Sequence, residues 1–414
     1  MPKKRADSAH HAEPFVKLSL RGATRLQARH PWVYRSDVVE SNDPPPGSVV
    51  RVLDLRGKFL GTALYSSSSQ IAIRMISHGS VVDLPELVAE RIRAALAYRK
   101  GLVSNTDAYR IAFSEADFLP GLIVDRYNDV LTLQILTQAM DAAPVREAIL
   151  QTLGDELQPA GIVERVEARI RDLEQLPPLQ SRLLWGEKSS TVFSMNGGRM
   201  NGDETSGVRF HYDGLEGQKT GAFLDQRENY AAAAEYAHGE ALDAFCYQGG
   251  FALHLSLHPA AKCSSVTGVD SSRPALEMAE KNATLNGREL EWIEANAFDL
   301  LREYAAANRR YDTIVLDPPA FAKTKRDLEK ALGGYKELNL RAMKMLRPGG
   351  ILVTCSCSFH VSAADFLEMV ADAARDAHKS LRVVENRGAA RDHPILLNVP
   401  ETSYLHCLIL SVSN

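Results

Sequence analysis

The second half of the chain alternates apolar strands with helical segments, and this alternation limits the fold more than any other feature of the sequence. Five segments have the length and composition of strands, at residues 241–245, 265–270, 290–294, 311–317 and 350–355. Helical segments fall between these strands. Apolar strands separated by helices form a parallel sheet with both faces covered. We therefore predict an α/β fold, with a Rossmann-like domain over residues 189–414.

Two other patterns precede this domain. Residues 15–80 contain short alternating segments broken by turn residues, which favours a small β-barrel. Residues 81–188 mix short strands with two helical segments, at 85–100 and 141–153, and predict a small α+β domain. Asp141 is the expected N-cap of the second helix.

Charge is distributed unevenly along the chain. The 414 residues carry a net charge of −4, yet residues 1–80 contain twelve Lys or Arg and only six Asp or Glu. A basic segment on an acidic body is typical of a module that binds a polyanion. Because Lys3, Lys4 and Arg5 contribute to this excess, residues 1–14 also fit a disordered, solubilising tail.

Several classes of protein are excluded by composition. No apolar run approaches the roughly 18 residues of a membrane span, and the first residues lack the apolar core of a signal peptide. The five cysteines have no zinc-like spacing, so we predict no metal site. Their odd number indicates free thiols, and we expect a cytoplasmic protein without a membrane partner.

Candidate ligand-binding residues follow the first predicted strand. Ligands of such sheets bind outside the carboxyl ends of the strands. The turn contains Asp243, Phe245 and the adjacent glycines Gly249 and Gly250. Adjacent glycines let the backbone approach a ligand closely, but the turn lacks the phosphate-binding fingerprint of a dinucleotide site.

The next two strands also end in candidate binding residues. Asp270 ends the second strand and can accept hydrogen bonds from ribose hydroxyls. Asn296 and Ala297 follow the third strand, where they can contact adenine. S-adenosylmethionine has a ribose and an adenine but no phosphate, so we predict it as the cofactor.

The fourth strand ends in Asp-Pro-Pro-Ala-Phe, residues 317–321. Pro318 makes the loop rigid, while Asp317 and Phe321 supply an acidic group and an aromatic ring beside the cofactor's methyl group. This pattern is common in methyltransferases that act on planar bases, and Phe321 is expected to stack on an extruded base.

The fifth strand ends in Thr-Cys-Ser-Cys-Ser, residues 354–358. Strand alternation places Cys355 and Cys357 on one face of the strand, and we expect this face to line the site. C5 of a pyrimidine is too weakly nucleophilic to take a methyl group until a thiolate adds to C6, which gives a cysteine a catalytic role here. The alternative is that both are small buried residues.

Together these segments resemble the bacterial 23S rRNA cytosine-5 methyltransferases of the RlmI type. The resemblance covers nearly the whole chain and includes segments 20–22 with 30–34, 118–127 and 218–227, besides the two strand-end motifs. It implies an N-terminal PUA domain over residues 15–80, a linker domain over 81–188 and a class I methyltransferase domain over 189–414.

The resemblance also implies roles for particular residues. Lys219 to Arg227 would form a loop on the cofactor side, with Asp225, Gln226 and Arg227 as candidates, and Arg21 and Trp32 would contact RNA. Cys355 matches the Thr-Cys-Ser nucleophile of this class, with Cys357 as the secondary thiol. A nucleophilic thiol at Cys355 should have a pKa below the usual value of about 8.5.

Two positions depart from the pattern of RNA cytosine-5 methyltransferases. The cysteine that some carry after the proline of the fourth-strand motif is replaced here by Pro319-Ala320, and Asn296 stands where an aspartate is usual. The group that removes the C5 proton is therefore not identified, with Cys357 and water as options.

The leading hypothesis is methylation of a cytosine C5 in 23S rRNA or a large-subunit precursor, with Cys355 attacking C6 and Asp317 holding the base. One alternative is methylation of an exocyclic nitrogen, for example of guanine, which needs no thiolate. Another is an RNA-binding assembly factor with a vestigial cofactor site. Whether the chain forms a homodimer is left open.

Overall fold

The computed structural model describes residues 13–200, 203–205, 207–215, 222–322 and 324–413. Nearly all of the predicted tail, residues 1–14, therefore lies outside the described residues. Sheets of six, five and seven strands follow one another along this part of the chain. Within it, no helix combines the length and apolar character needed to cross a membrane.

The N-terminal segment forms the six-stranded sheet. Its strands are β1 (Phe15–Leu18), β2 (Trp32–Tyr34), β3 (Val38–Ser41), β4 (Val49–Leu53), β5 (Phe59–Tyr65) and β6 (Ile71–Ser77), in the order β2-β6-β5-β4-β1-β3. The first strand ends at Leu18, because Ser19 caps a helix, α1 (Leu20–Gln27), by accepting a hydrogen bond from the Gly22 N–H at 3.1 Å.

The central segment combines a five-stranded sheet with helices. The strands are β7 (Ala108–Phe113), β8 (Leu122–Tyr127), β9 (Val130–Ile135), β10 (Gly161–Glu164) and β11 (Arg182–Gly186), and the helices are α2 (Leu84–Lys100), α3 (Ala143–Leu157) and α4 (Ala168–Leu173). The prediction that Asp141 caps the second helix is wrong. Helix α3 begins after Ala142, and the Asp141 carboxylate instead binds Arg146 at 2.7 Å and Arg171 at 3.2 Å.

Two small antiparallel ribbons connect this segment to the last domain. One pairs β12 (Ser190–Met195) with β15 (Val208–Asp213), and the other pairs β13 (Gly198–Met200) with β14 (Asp203–Thr205).

The C-terminal segment forms the seven-stranded sheet. Its strands are β16 (His238–Ala244), β17 (Lys262–Asp270), β18 (Glu291–Glu294), β19 (Tyr311–Leu316), β20 (Leu346–Ser356), β21 (Ser380–Arg387) and β22 (His406–Ser413). The order is β18-β17-β16-β19-β20-β22-β21, and the five strands predicted from the sequence are confirmed as a parallel set. Strands β21 and β22 were not predicted, and β22 runs antiparallel to both of its neighbours, β20 and β21.

Helices cover both faces of this sheet, as the apolar strands require. They are α5 (Arg227–Tyr236), α6 (Gly250–Leu257), α7 (Arg273–Leu285), α8 (Ala297–Ala306), α9 (Leu328–Met345) and α10 (Ala363–Asp376). Leu242 and Leu352 pack in the core on one face, while Val315 and Val353 pack in the core on the other. The helix predicted at residues 338–346 is the second half of α9.

A buried ionic network joins the central and C-terminal segments. Arg227 at the start of α5 forms two hydrogen bonds with the Asp392 carboxylate, at 2.9 and 3.1 Å. The same carboxylate accepts the backbone N–H of Arg110 at 2.7 Å, and the Asp392 carbonyl accepts a hydrogen bond from Arg99 at 2.8 Å. Because Arg99, Arg227 and Asp392 are almost fully buried, this network holds the two segments together.

A buried histidine makes the stability of the C-terminal domain depend on pH. His254 in α6 donates from Nδ1 to the Gly250 carbonyl at 2.7 Å and accepts from Asn196 at 2.9 Å through Nε2. Burial lowers its pKa from 6.5 to about 4. The unfolded chain therefore binds more protons between these values, so stability is fully present above pH 6.5 and falls as pH drops towards 4.

We expect this histidine to contribute ~3 kcal/mol to the loss of unfolding free energy between pH 6.5 and 4. Urea unfolding across this range should show a flatter pH dependence for His254→Gln than for the wild type. The control is His78→Gln, since His78 is exposed. An unchanged pH dependence in His254→Gln would contradict the expectation.

Candidate active site at the carboxyl edge of the seven-stranded sheet

A cavity of about 800 Å³ lies at the carboxyl ends of β16 to β20. Cavities of roughly 300–1,000 Å³ are the usual size of small-molecule sites. Its wall includes one or more residues after each of these strands, together with residues before α5 and before β22: Phe245, Asp270, Asn296, Ala297, Asp317, Pro318, Phe321, Cys357, Asp225, Gln226 and Tyr404. The fold thus brings together most of the residues that the sequence singled out.

The turn after β16 has an unusual backbone conformation. Phe245 and Tyr247 have positive φ angles of 70° and 49°, and Gly249 has one of 85°. Positive φ at bulky residues costs energy and is concentrated at functional sites. Gly250 must be a glycine, since a Cβ there would lie 2.5 Å from Cζ of Tyr230. The turn is therefore built for close backbone approach to whatever occupies the cavity.

Asp270 is held rigidly at the end of β17. Its Oδ2 accepts the Tyr247 N–H and its Oδ1 accepts the Ser272 N–H, both at 2.9 Å. Asn296 after β18 accepts the Phe298 N–H at 2.9 Å and so caps α8. Carboxylate and amide oxygens thus face the cavity from two neighbouring strands, an arrangement that suits ribose and adenine.

Asp243 is 1% exposed, and its carboxyl group is only half satisfied. Oδ2 accepts the Ala252 N–H at 2.9 Å, while Oδ1 has no hydrogen-bond partner among the described residues. Burial raises the pKa of this carboxyl group well above its usual value. A buried acceptor without a donor costs free energy. Asp243, like Gly249, is not among the residues that line the cavity, so its contact with the cofactor stays a prediction.

Asp317 is positioned by a chain of side-chain hydrogen bonds. Arg387 donates to Asn229 at 2.8 Å, Asn229 donates to the Gln226 Oε1 at 2.6 Å, and the Gln226 Nε2 donates to Asp317 Oδ1 at 3.0 Å. Each amide in the chain can take only one orientation, so a donor always points at Asp317. The chain therefore holds the Asp317 carboxyl group in one position at the cavity wall.

The two cysteines after the fifth strand are placed differently. Cys355 is fully buried within β20 opposite Cys407, and burial together with Cys407 raises the pKa of its thiol well above the usual value. Cys357 lies just past the strand, lines the cavity and has its Sγ 3.9 Å from the Pro318 carbonyl oxygen. The expectations that Cys355 faces the site and has a lowered pKa are therefore wrong, because the strand carries Cys355 into the core.

Phe321 lies in an aromatic cluster at the wall of the cavity. Its N–H donates to Ser358 Oγ at 3.0 Å, which fixes the loop after Pro318 and Pro319. Its ring centroid is 4.7 Å from that of Tyr335 and 5.7 Å from that of Phe298. The cluster holds the ring in place, as stacking on an extruded base requires.

Some predicted residues are not brought to this cavity. The prediction that Arg227 binds the cofactor is wrong, because its guanidinium group is committed to Asp392. Arg21 is exposed in α1 and bound to Asp37 at 2.7 Å, while the Trp32 indole N–H donates to Glu115 of the central segment at 2.8 Å. Their contact with RNA stays a prediction. Residues 219–221 of the predicted cofactor-side loop lie outside the described residues.

Tyr404 is a site residue that the sequence did not indicate, and Asp225 is one to which the sequence gave no role. Tyr404 lines the cavity from the segment before β22, and its hydroxyl group donates to Asp225 Oδ2 at 2.6 Å. Nothing around Tyr404 in the sequence indicates a site, since the contact spans 179 residues. The resemblance placed Asp225 on the cofactor side but gave it no chemistry.

Loss of Asp270 should weaken cofactor binding. Asp270→Ala removes the hydrogen bonds expected to ribose and also frees the Tyr247 and Ser272 N–H groups, so we expect a cost of about 1–3 kcal/mol. Calorimetric titration with S-adenosylhomocysteine measures it. The control is Asp299→Ala, since the Asp299 side chain is 71% exposed. Equal affinity of Asp270→Ala and wild type would remove Asp270 from the cofactor site.

Two family models match the sequence. One, described as a PUA-like domain, matches residues 16–78, and the other, described as an S-adenosylmethionine-dependent methyltransferase, matches residues 198–409. The chain is also similar to proteins named ribosomal RNA large subunit methyltransferase I. That of Photobacterium profundum is 37% identical over 92% of this chain and 94% of its own length, and that of Shewanella denitrificans is 37% identical over 96% and 99%.

Solved structures share the whole architecture. A methyltransferase crystallised with SAH superposes with a TM-score of 0.79 over 97% of this chain and 100% of its own, at 17% identity. A SAM-dependent methyltransferase from Streptococcus mutans gives a TM-score of 0.78 over 96% and 99%, also at 17% identity. At such low identity the likeness is one of fold alone.

Proposed function

The chain belongs to the S-adenosylmethionine-dependent methyltransferases, in the family of ribosomal RNA large subunit methyltransferase I, and on this premise we propose that it methylates C5 of a cytosine in large-subunit rRNA. The observation that carries the proposal is a cysteine thiol, Cys357, in the same cavity as Asp317 and the cofactor-binding turn. A methyltransferase acting on an exocyclic nitrogen needs no thiol there, whereas one acting on C5 does.

In this proposal the nucleophile is Cys357 rather than Cys355. Sγ of Cys357 attacks C6 of the extruded cytosine, and a C6–S bond forms as the electron pair of the C5–C6 double bond moves to C5. Asp317 accepts a hydrogen bond from the base and holds it in place, with Gln226 supporting the carboxylate. Phe321 stacks against the ring. Bound S-adenosylmethionine supplies the methyl group that C5 takes.

An RNA substrate is supported by the first domain and by the relatives. The PUA-like match covers the segment of the chain that carries excess basic charge. The relatives are named for the RNA of the large ribosomal subunit. We propose 23S rRNA or a large-subunit precursor as the partner. None of the five cysteines, all of which are described, forms a disulfide bond, and we propose that the protein works in a reducing cytoplasm.

The test is methylation of 23S rRNA purified from cells that lack this protein. With S-adenosylmethionine and the purified protein, nucleoside mass spectrometry should find close to one new 5-methylcytidine per molecule of 23S rRNA, and none in 16S rRNA as the control. A methylated guanosine instead would favour transfer to an exocyclic nitrogen. No methylation together with no calorimetric binding of S-adenosylmethionine would favour an assembly factor.

A further inference from the structure

One step of the proposed reaction, removal of the C5 proton, has no residue assigned to it. After a methyl group is added to C5, the proton on that carbon must leave before the thiol can be released. A second cysteine in the fourth-strand loop is absent, since Pro319 and Ala320 occupy that place. The structure nevertheless contains an acidic group in the same cavity that the steps above do not use.

That group is Asp225, in the turn before α5. Its Oδ2 accepts the Tyr404 hydroxyl at 2.6 Å, and its backbone carbonyl accepts the Ala390 N–H at 2.8 Å. Oδ1 has no hydrogen-bond donor within the described ranges. Both Asp225 and Tyr404 line the cavity with Cys357. The carboxylate is thus held by one oxygen while the other stays open.

The groups around Tyr404 keep its hydroxyl group protonated, so that it remains the hydrogen-bond donor to Asp225. Burial raises the pKa of Tyr404 well above its usual value, and the negative charge of Asp225 adds to this effect. Arg110 is the neighbouring cation, but its guanidinium group is engaged with Asp125 at 2.8 and 2.9 Å. Tyr404 therefore stays protonated and orients Asp225 without taking its place as a base.

The stereochemistry of the reaction selects this side of the cavity. Sulfur and the methyl group add to opposite faces of the C5–C6 bond, so the C5 proton ends on the face that carries the sulfur. The acceptor must therefore stand on the Cys357 side. Tyr404 and Asp225 line the same cavity as Cys357, and a hydrogen bond of 2.6 Å joins the two side chains to each other.

We propose that Asp225 is the base that removes the C5 proton and that Tyr404 is its positioning residue, an assignment that rests on the proposed function. The C5–H bond breaks and its electron pair restores the C5–C6 double bond. The C6–S bond breaks, and its electron pair returns to Cys357 as thiolate. The proton stays on the Asp225 carboxyl group until water exchanges it after product release.

The test uses the whole protein, S-adenosylmethionine and 23S rRNA purified from cells that lack the protein. Asp225→Asn should lower turnover by at least about 100-fold. It should also accumulate a denaturation-resistant protein–RNA adduct whose RNA already carries the methyl group, because addition proceeds and elimination stops. Tyr404→Phe should show a smaller loss of turnover and a weaker adduct. The double variant Cys357→Ala/Asp225→Asn should form none.

Two outcomes would overturn the assignment. One is turnover by Asp225→Asn within threefold of wild type. The other is an Asp225→Asn protein that binds S-adenosylhomocysteine as wild type does, yet is inactive and forms no adduct. Wild type must meanwhile be trapped by RNA containing 5-fluorocytidine. If the wild type is trapped by this RNA, only the assignment of Asp225 as the base fails. If the wild type neither is trapped nor makes 5-methylcytidine, the proposed function itself is wrong.

Discussion

Cys357→Ala is expected to abolish methyl transfer, with a loss of at least about 10³-fold, because the C5 carbon is not activated without sulfur at C6. The substitution removes one sulfur atom from the cavity wall, at a residue that is only half-buried, so binding of S-adenosylhomocysteine should stay close to that of wild type. Transfer of a labelled methyl group to 23S rRNA gives the rate, and trapping by 5-fluorocytidine RNA reports the covalent step directly.

Cys355→Ala is the matched control, two residues away on the same strand end. Because Cys355 is fully buried against Cys407, its loss should cost a small amount of stability and leave turnover within about tenfold of wild type. It should still trap RNA. Trapping by Cys357→Ala but not by Cys355→Ala would show that the nucleophile is Cys355, as the Thr-Cys-Ser motif predicts.

Asp392→Ala should be the most destabilising single change considered, with a loss of about 3–5 kcal/mol in unfolding free energy. Burial alone would raise the pKa of Asp392, but its interactions with His393 and Arg227 outweigh burial and hold the pKa well below the usual range. Removing the carboxylate leaves the buried Arg227 guanidinium group with only the Ala108 carbonyl at 3.2 Å and Glu228 at 3.5 Å, and it leaves the Arg110 N–H without its acceptor.

Urea unfolding of Asp392→Ala and wild type measures this loss. Glu277→Ala is the control, since its ion pair with Arg273 is exposed and should contribute under about 1 kcal/mol. A second variant, Arg227→Met with Asp392→Leu, removes both charges and should recover much of the stability. A loss below about 1 kcal/mol in Asp392→Ala would show that the buried pair does not hold the two segments together.

The sequence determined the architecture of the C-terminal domain because its signals are local. Apolar strands such as 311–317 are bounded by turns and separated by helical periodicity, and parallel strands place their carboxyl ends on one edge. Residues that follow those strands, such as Asp270, Asn296 and Asp317, must therefore meet there, and they do line one cavity. Strand β22 was missed because it runs antiparallel to both of its neighbours, β20 and β21, outside the repeating pattern.

Helix capping and ion pairing could not be predicted from the sequence, because they depend on which of several possible partners binds a side chain most strongly. Asp141 precedes a helix and looks like its cap, yet two arginines from α3 and α4 bind it more strongly than a helix N–H would. Arg227 stands beside Gln226 in a loop assigned to the cofactor, but the helical turn directs it inwards to Asp392. No local sequence pattern predicts an ion-pair partner that is 165 residues away in the chain.

The chemistry of the site was also determined partly by the sequence and partly by the tertiary structure. The sequence alone determined that thiols and an acidic group would stand at the ends of neighbouring strands, since strand order and motif position fix this. Only the tertiary structure decided which thiol reaches the cavity, because Cys355 is still inside β20 while Cys357 lies beyond its end. It also brought Tyr404 to Asp225, because β22 pairs between β20 and β21 and so places the segment before it at the cavity.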